Sequence, residues 1–322
     1  MGWFVRTVFC EIMWWSSYDF LRGVDSWEDS IVVRSLPNHT FIAWGRLHCF
    51  EGVPMGRDDD VRRQWDEAVE FWVERVRSGG DVYREYMNGP AFRGMVGDVG
   101  GKRLLDLACG EGYFSRFFAK AGATVTAVDF SEEMIRAAVE EETRDPLGVE
   151  YHKADAGDLG MFGEGVFDLV YSFMALMDIP DYESAIGEVA RVLRGGGRFV
   201  AIFLHPCFSW ARTRDGETVC DWERVVHDDG SKDYLYLKIY DYFQRHQYGI
   251  RWRDEVYPEG FTTTQFHRTL SDYVNALGGS GLFITRMEEP KPVSRGPELP
   301  DRMMKLFRIP HSIIIEAKKM TV

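Results

Sequence analysis

The chain predicts an α/β protein built on a doubly wound, seven-stranded, mostly parallel sheet, with an aromatic-rich insertion after the fifth strand. Three observations carry this expectation. Short apolar or β-branched runs alternate with amphipathic runs from residue 102 to residue 204. Successive strand runs end on a glycine-bearing loop or on a carboxylate. Two further strand runs, at 282–287 and 312–317, follow once the rhythm has been interrupted.

Each element has its own signal. Val61, Trp65, Ala68, Val69, Trp72, Val73 and Val76 recur at helical spacing, and Ser78-Gly79-Gly80 ends that helix. A second helix is expected over 83–96. Strands follow at 102–107, 123–129, 149–153, 167–173 and 198–204. Between them lie a helix at 113–121 and another that Ser131 caps, running to about 142. Asp181 opens a third, with Ala185, Ile186, Val189, Val192 and Leu193 on one face and a break at Gly195-Gly-Gly197. Residues 206–265 abandon the pattern for aromatics and charges and are expected to form a small antiparallel cap, with residues 234–240 alternating as a strand does. Leu270, Tyr273, Val274 and Leu277 then mark a helix ended by Gly278-Gly279.

Residues 1–54 show no sustained period and are read as an N-terminal extension, with the main domain spanning 55–322 and the cap lying within it. The extension is open to two readings: a packed appendage, or a stretch upstream of a natural start at Met55.

Composition bounds the partners. The 322 residues carry a net charge of −13, which repels a phosphate backbone over most of the surface and disfavours a DNA or RNA substrate. Cys10, Cys49, Cys109, Cys207 and Cys220 are odd in number and none are spaced as a zinc pair. Free thiols, no metal site and a reducing, cytoplasmic location are expected. No run of 18 apolar residues suits a membrane span, Glu11 interrupts what a signal peptide would need, and Arg6 stands where a myristoylation motif has Ser or Thr.

Ligands of open parallel sheets sit beyond the carboxyl ends of the strands. The first such end is Asp106-Leu-Ala-Cys-Gly-Glu-Gly112, where Gly110 and Gly112 allow a sharp turn and close backbone approach. The next ends at Asp129, a carboxylate able to accept both hydroxyls of a ribose. The third leads to Asp155-Ala156, placed to meet an adenine amino group. Over roughly residues 80–205 this order resembles the class I, Rossmann-like S-adenosylmethionine-dependent methyltransferases, in particular the branch with ubiquinone and menaquinone methyltransferases.

The resemblance implies S-adenosylmethionine as cofactor. It places Asp106, Ala108, Gly110 and Gly112 against the methionyl part, and Asp129 on the ribose with Phe130 and Met134 beside it. Asp155 and Ala156 meet the adenine, Phe173 lines the pocket, and Arg84 meets the cofactor carboxylate. Ala108 stands where many members have glycine, a small change in bulk. A nicotinamide-binding fingerprint needs a third glycine where this chain has Ser115, and lacks an acid at the place of Asp106.

Methyl transfer by in-line displacement mainly requires alignment, so no fixed catalytic residue is implied. His205, in a His-Pro pair after the fifth strand, and His267, in a His-Arg pair before the later helix, are the candidate bases or substrate holders. Asp178 is a weaker third candidate, because the preceding Met174-Ala-Leu-Met177 reads as buried wall. The expected acceptor is a small molecule. A tRNA-modifying enzyme and a non-catalytic S-adenosylmethionine-binding protein are the alternatives.

Overall fold

The computed structural model describes residues 30–36, 39–45, 58–208, 220–252, 260–293, 299 and 301–321. The expectations that fall on Arg6, Cys10, Glu11, Cys49 and Met55 lie outside the described residues. The chain divides into two compact units, Met1–Val53 and Pro54–Val322. Within the first, β1 (Ser30–Leu36) and β2 (His39–Gly45) form an antiparallel hairpin with Ser30 opposite Gly45.

The second unit opens with α1 (Asp58–Arg77). A single π-helical turn, Arg84–Asn88, then runs directly into α2 (Gly89–Val96). The expected continuous helix over 83–96 is therefore two turn types joined at Gly89, next to Pro90, which has no N–H to donate.

There follow β3 (Arg103–Leu107), α3 (Tyr113–Lys120), β4 (Thr124–Asp129), α4 (Glu132–Arg144), β5 (Glu150–Lys153), β6 (Phe167–Phe173), α5 (Tyr182–Val192) and β7 (Leu193–Leu204). The insertion supplies two hairpins: β8 (Cys220–Val226) with β9 (Lys232–Ile239), and β10 (Gln247–Trp252) with β11 (Phe261–Phe266). The chain ends with α6 (Leu270–Gly279), β12 (Leu282–Glu288), the short α7 (Asp301–Met304) and β13 (Ser312–Lys319).

The central sheet has seven strands in the order β12-β13-β7-β6-β3-β4-β5. β13 pairs antiparallel with both its neighbours; the pairs from β7 to β5 are parallel. The chain starts at β3, steps outward to β5 and returns to β6 on the other side, so the topological switch lies between β3 and β6. The glycine run at 195–197 does not separate helix from strand as expected. It forms an irregularity inside β7, where the register jumps from Leu193 opposite Phe167 to Arg198 opposite Leu169. Gly196 has φ +73°, and a Cβ on Gly197 would sit 2.9 Å from the Arg194 carbonyl oxygen.

Both faces of the sheet are buried, which is why its strands read as continuous apolar runs rather than alternating ones. One face packs Leu105, Leu107, Val170 and Phe203 against Ile186, Val189, Tyr273 and Leu277 of α5 and α6. The other packs Leu104, Leu169, Tyr171 and Ile202 against Phe92, Phe114 and Phe118 of α2 and α3. Among the described residues, no helix is long and apolar enough to cross a membrane.

Candidate active site

The carboxyl ends of β3, β4, β5 and β6 open into one cleft of about 1180 Å³ of empty space. Of the residues expected at the cofactor, Arg84, Asp106, Ala108, Gly110, Asp129, Phe130, Met134, Asp155, Ala156 and Phe173 line it. Gly112 does not. It sits one step behind the wall as the left-handed N-cap of α3, φ +86°, where a Cβ would lie 2.4 Å from the Tyr151 hydroxyl.

The loop between β3 and α3 is held by the strand beside it. The Cys109 N–H donates to the Val128 carbonyl at 2.9 Å, and the Gly110 N–H to Asp129 Oδ2 at 2.8 Å. The Ser131 N–H donates to the other Asp129 oxygen at 2.9 Å. One carboxylate thus pins the glycine loop and the start of α4, and each oxygen keeps lone-pair capacity for a ligand. Burial pushes Asp129 up to about 6, against the pull of these backbone donors. Asp106 is more deeply perturbed: desolvation raises it to about 7, opposed by the Ser115 hydroxyl, which donates at 2.6 Å. Glu111 is raised by burial too, with Arg77 Nε 3.7 Å away as its nearest opposing charge. The Cys109 thiol, pushed far up by burial, is no nucleophile.

Two non-glycine residues of the cleft wall adopt left-handed backbone: Ala108 at φ +58° and Met174 at φ +55°. Bulk is therefore not what distinguishes Ala108 from glycine; backbone conformation is.

Arg84 is buried beneath the cleft, its guanidinium 4.1 Å from the Tyr113 ring centroid. Its Nη2 donates to the Val76 carbonyl at 2.7 Å and its Nε to Glu85 at 3.1 Å.

The two histidines lie elsewhere. Neither His205 nor His267 lines the cleft. His205 is buried with Nε2 3.0 Å from Glu289 Oε1, while its Nδ1 accepts the Cys207 N–H at 3.2 Å. That pairing fixes the proton on Nε2. His267 Nε2 donates to the Tyr242 carbonyl at 2.7 Å, and its ring lines a separate small cavity beside Gln265 and Arg268. Burial lowers the pKa of both imidazoles. It is the neighbour of His267 that reaches the cleft wall: the Arg268 guanidinium donates to the carbonyls of Leu176 at 2.9 Å, Pro180 at 2.8 Å, and Ile179.

That clamped loop carries Asp178, which lines the cleft. Burial raises its pKa well above the usual carboxylate range, against Gln265 and Arg268. Sequence reasoning missed the contribution of α1. Trp65 and Trp72 line the cleft, edge to face with centroids 5.5 Å apart. Trp72 meets Trp252 at 5.2 Å, and Phe71 meets Phe261 at 5.0 Å, which joins α1 to the β10–β11 hairpin. The helical period that placed these indoles on an apolar face carried the signal, but not which apolar surroundings they met. Asp66 of α1 also accepts the Ser131 hydroxyl at 2.6 Å, tying α1 to the base of α4.

Asp81, Asp155 and Asp181 bring the carboxylates of the lining to seven, together with Asp106, Glu111, Asp129 and Asp178. Arg84 is the single cation among the described lining residues.

Comparison with known proteins agrees with this layout. A family model for a methyltransferase domain matches residues 105–201. The chain is 36% identical over 100 residues to a ubiquinone biosynthesis O-methyltransferase of Aromatoleum aromaticum, covering 31% of this chain and 43% of that one. It is 40% identical over 105 residues to a demethylmenaquinone methyltransferase of Clavibacter sepedonicus, covering 33% and 42%. These matches span less than half the length of the curated relatives. In three dimensions it resembles an S-adenosylmethionine dependent methyltransferase of Mesorhizobium loti, with a TM-score of 0.56, 27% identity, and coverage of 71% of this chain and 96% of the other. Fold, strand-end motifs and these likenesses together support a class I, Rossmann-like S-adenosylmethionine-dependent methyltransferase, with residues 105–201 as the matched methyltransferase domain.

Proposed function

We propose that this protein transfers a methyl group from S-adenosylmethionine to a small-molecule acceptor. The observation that carries the reading is the convergence of three successive strand ends on one cleft at the topological switch, with Asp129 presenting both carboxylate oxygens there.

The residues fit the cofactor. Asp129 would accept the ribose hydroxyls, Asp155 and Ala156 would meet the adenine, and the loop through Ala108 and Gly110 would lie along the methionyl part. Arg84 is the one lining cation available to the cofactor carboxylate, with two of its nitrogens already engaged. An acidic cleft also suits a ligand bearing a sulfonium and an ammonium. When bound, the sulfonium supplies an electrophilic methyl carbon. The protein's part is to hold donor and acceptor in line and to exclude water.

The insertion divides this work. The β10–β11 hairpin packs on the cleft helix α1 through Trp252 and Phe261, and it is the part of the insertion that would serve as a lid. The β8–β9 hairpin docks instead on the C-terminal segment, where Lys305 lies 4.9 Å from the Tyr234 ring and Arg308 donates to the Leu235 carbonyl at 2.7 Å. Relatives named for quinone biosynthesis support a small acceptor, and seven lining carboxylates oppose a polyanionic one such as tRNA.

A thermal-shift comparison of S-adenosylmethionine, S-adenosylhomocysteine, NAD and NADP tests the reading. The first two are expected to raise the melting temperature, and Asp129→Ala to erase that rise. Stabilisation by the nicotinamides alone would overturn it.

A further inference from the structure

Among the described residues that line the cleft, Asp178 alone has a buried side-chain oxygen left without a hydrogen-bond partner. Asp178 is 9% exposed, lines the cleft, and its Oδ1 has no hydrogen-bond partner among the described residues. Its position is tightly set. Its own N–H donates to the Ala175 carbonyl at 2.8 Å, and Arg268 grips the carbonyls of Leu176, Ile179 and Pro180 around it. A carboxyl buried without a partner is destabilising, a cost that is recovered when a ligand supplies the missing bond. The same cleft offers flat apolar wall: Trp65, Trp72, Ile179 and Pro180.

We propose that Asp178 Oδ1 is the acceptor-binding group, and that the acceptor is a flat, neutral or cationic molecule presenting a hydroxyl or amine proton to it. This rests on the S-adenosylmethionine reading and refines it. An acceptor bearing a carboxylate or phosphate would enter a cleft of seven acidic groups whose single arginine belongs to the cofactor end. A neutral ring loses nothing there, and a cationic one gains from the indole faces. The proton lost by the acceptor's O–H or N–H passes to Oδ1, converting the carboxylate to the carboxylic acid. Asp178 serves this step in its ionised form, and burial, which raises its pKa well above the usual carboxylate range, makes that oxygen a strong proton acceptor.

The test uses the full-length protein saturated with S-adenosylhomocysteine and titrated calorimetrically with matched pairs. The pairs are 4-methylcatechol against 3,4-dihydroxybenzoate, and tryptamine against indole-3-acetate, within a wider set of flat phenols, aryl amines and their acid analogues. Neutral and cationic members are expected to bind at least about tenfold tighter than their acid partners. Asp178→Asn keeps the shape and is expected to weaken them about tenfold while leaving S-adenosylhomocysteine affinity within about twofold. Preference for the acid members, unchanged binding in Asp178→Asn, or no binding by any neutral or cationic member would overturn the assignment. Failure of the wild-type protein to bind S-adenosylhomocysteine would instead overturn the reading beneath it.

Discussion

Burial of Asp129 sets two opposite pH trends at a single residue. Its pKa rises from 3.8 to about 6 on folding, so between those values the folded state binds a proton more tightly than the unfolded state. This group's share of stability is therefore greatest below 3.8 and falls as pH climbs through 6. Under the proposed ribose role of Asp129, binding runs the other way, because the hydroxyls would donate to the ionised carboxylate. The Kd for S-adenosylhomocysteine is expected to rise roughly tenfold per pH unit below about 6. Asp106 and Glu111, also raised by burial, add to both trends, so the measurement is a difference. Calorimetric Kd values from pH 5 to 7.5 should give a flatter slope for Asp129→Asn than for the wild type. Identical slopes would remove Asp129 from the ribose site. Ala108 allows a second single-residue test. Its left-handed backbone, φ +58°, costs about 1–2 kcal/mol. Glycine relieves that but frees the unfolded chain by about 0.4–1 kcal/mol. Ala108→Gly is therefore expected to raise the melting temperature by about 1 °C. A fall in melting temperature would show that the methyl group packs usefully despite the strain.

Among the elements, the loop after β6 depends on a side chain about ninety residues further along the chain. Arg268 satisfies three carbonyls of that loop, whereas His267 Nε2 bonds the Tyr242 carbonyl. Arg268→Ala leaves those carbonyls without their donor and is expected to cost about 3 kcal/mol, or roughly 5 °C of melting temperature. It should also weaken acceptor binding. His267→Ala is expected to cost less than half as much. Equal losses in the two variants would mean that the loop is held by its own turns. This dependence explains what the sequence did and did not reveal. Strands β3, β4 and β6 announce themselves because burial on both faces demands apolar runs, and Ser131 and Asp181 cap α4 and α5 through local bonds to Met134 and Ser184. The roles of Asp178 and Arg268 are set by a long-range contact with no local pattern. The insertion was legible as an antiparallel cap but not in its contacts, for a related reason. The alternation over residues 234–240 announced β9, but β9 is largely exposed, so its pattern gave no sign of what it packs against.

For the whole molecule, charge extends the argument from the cleft to the surface. The net charge is −13, and the cleft repeats that sign at close range. S-adenosylmethionine carries one net positive charge at neutral pH; S-adenosylhomocysteine, which lacks the sulfonium, carries none. The two share every hydrogen-bonding group, so their difference isolates electrostatics. Raising ionic strength from about 0.05 to 0.5 M shortens the Debye length from roughly 14 to 4 Å and screens attraction between the acidic surface and the incoming cation. The buried carboxylates of the cleft are screened less, which limits the effect. S-adenosylmethionine affinity is expected to fall about two- to threefold more than S-adenosylhomocysteine affinity, chiefly through a slower association rate. Stopped-flow association rates for the two ligands across a salt series measure this directly. Equal salt dependence would mean that the acidic lining is neutralised in the free protein, as the raised pKa values of Asp106 and Asp129 permit when pH falls toward 6, and repeating the series at pH 8 separates the two cases.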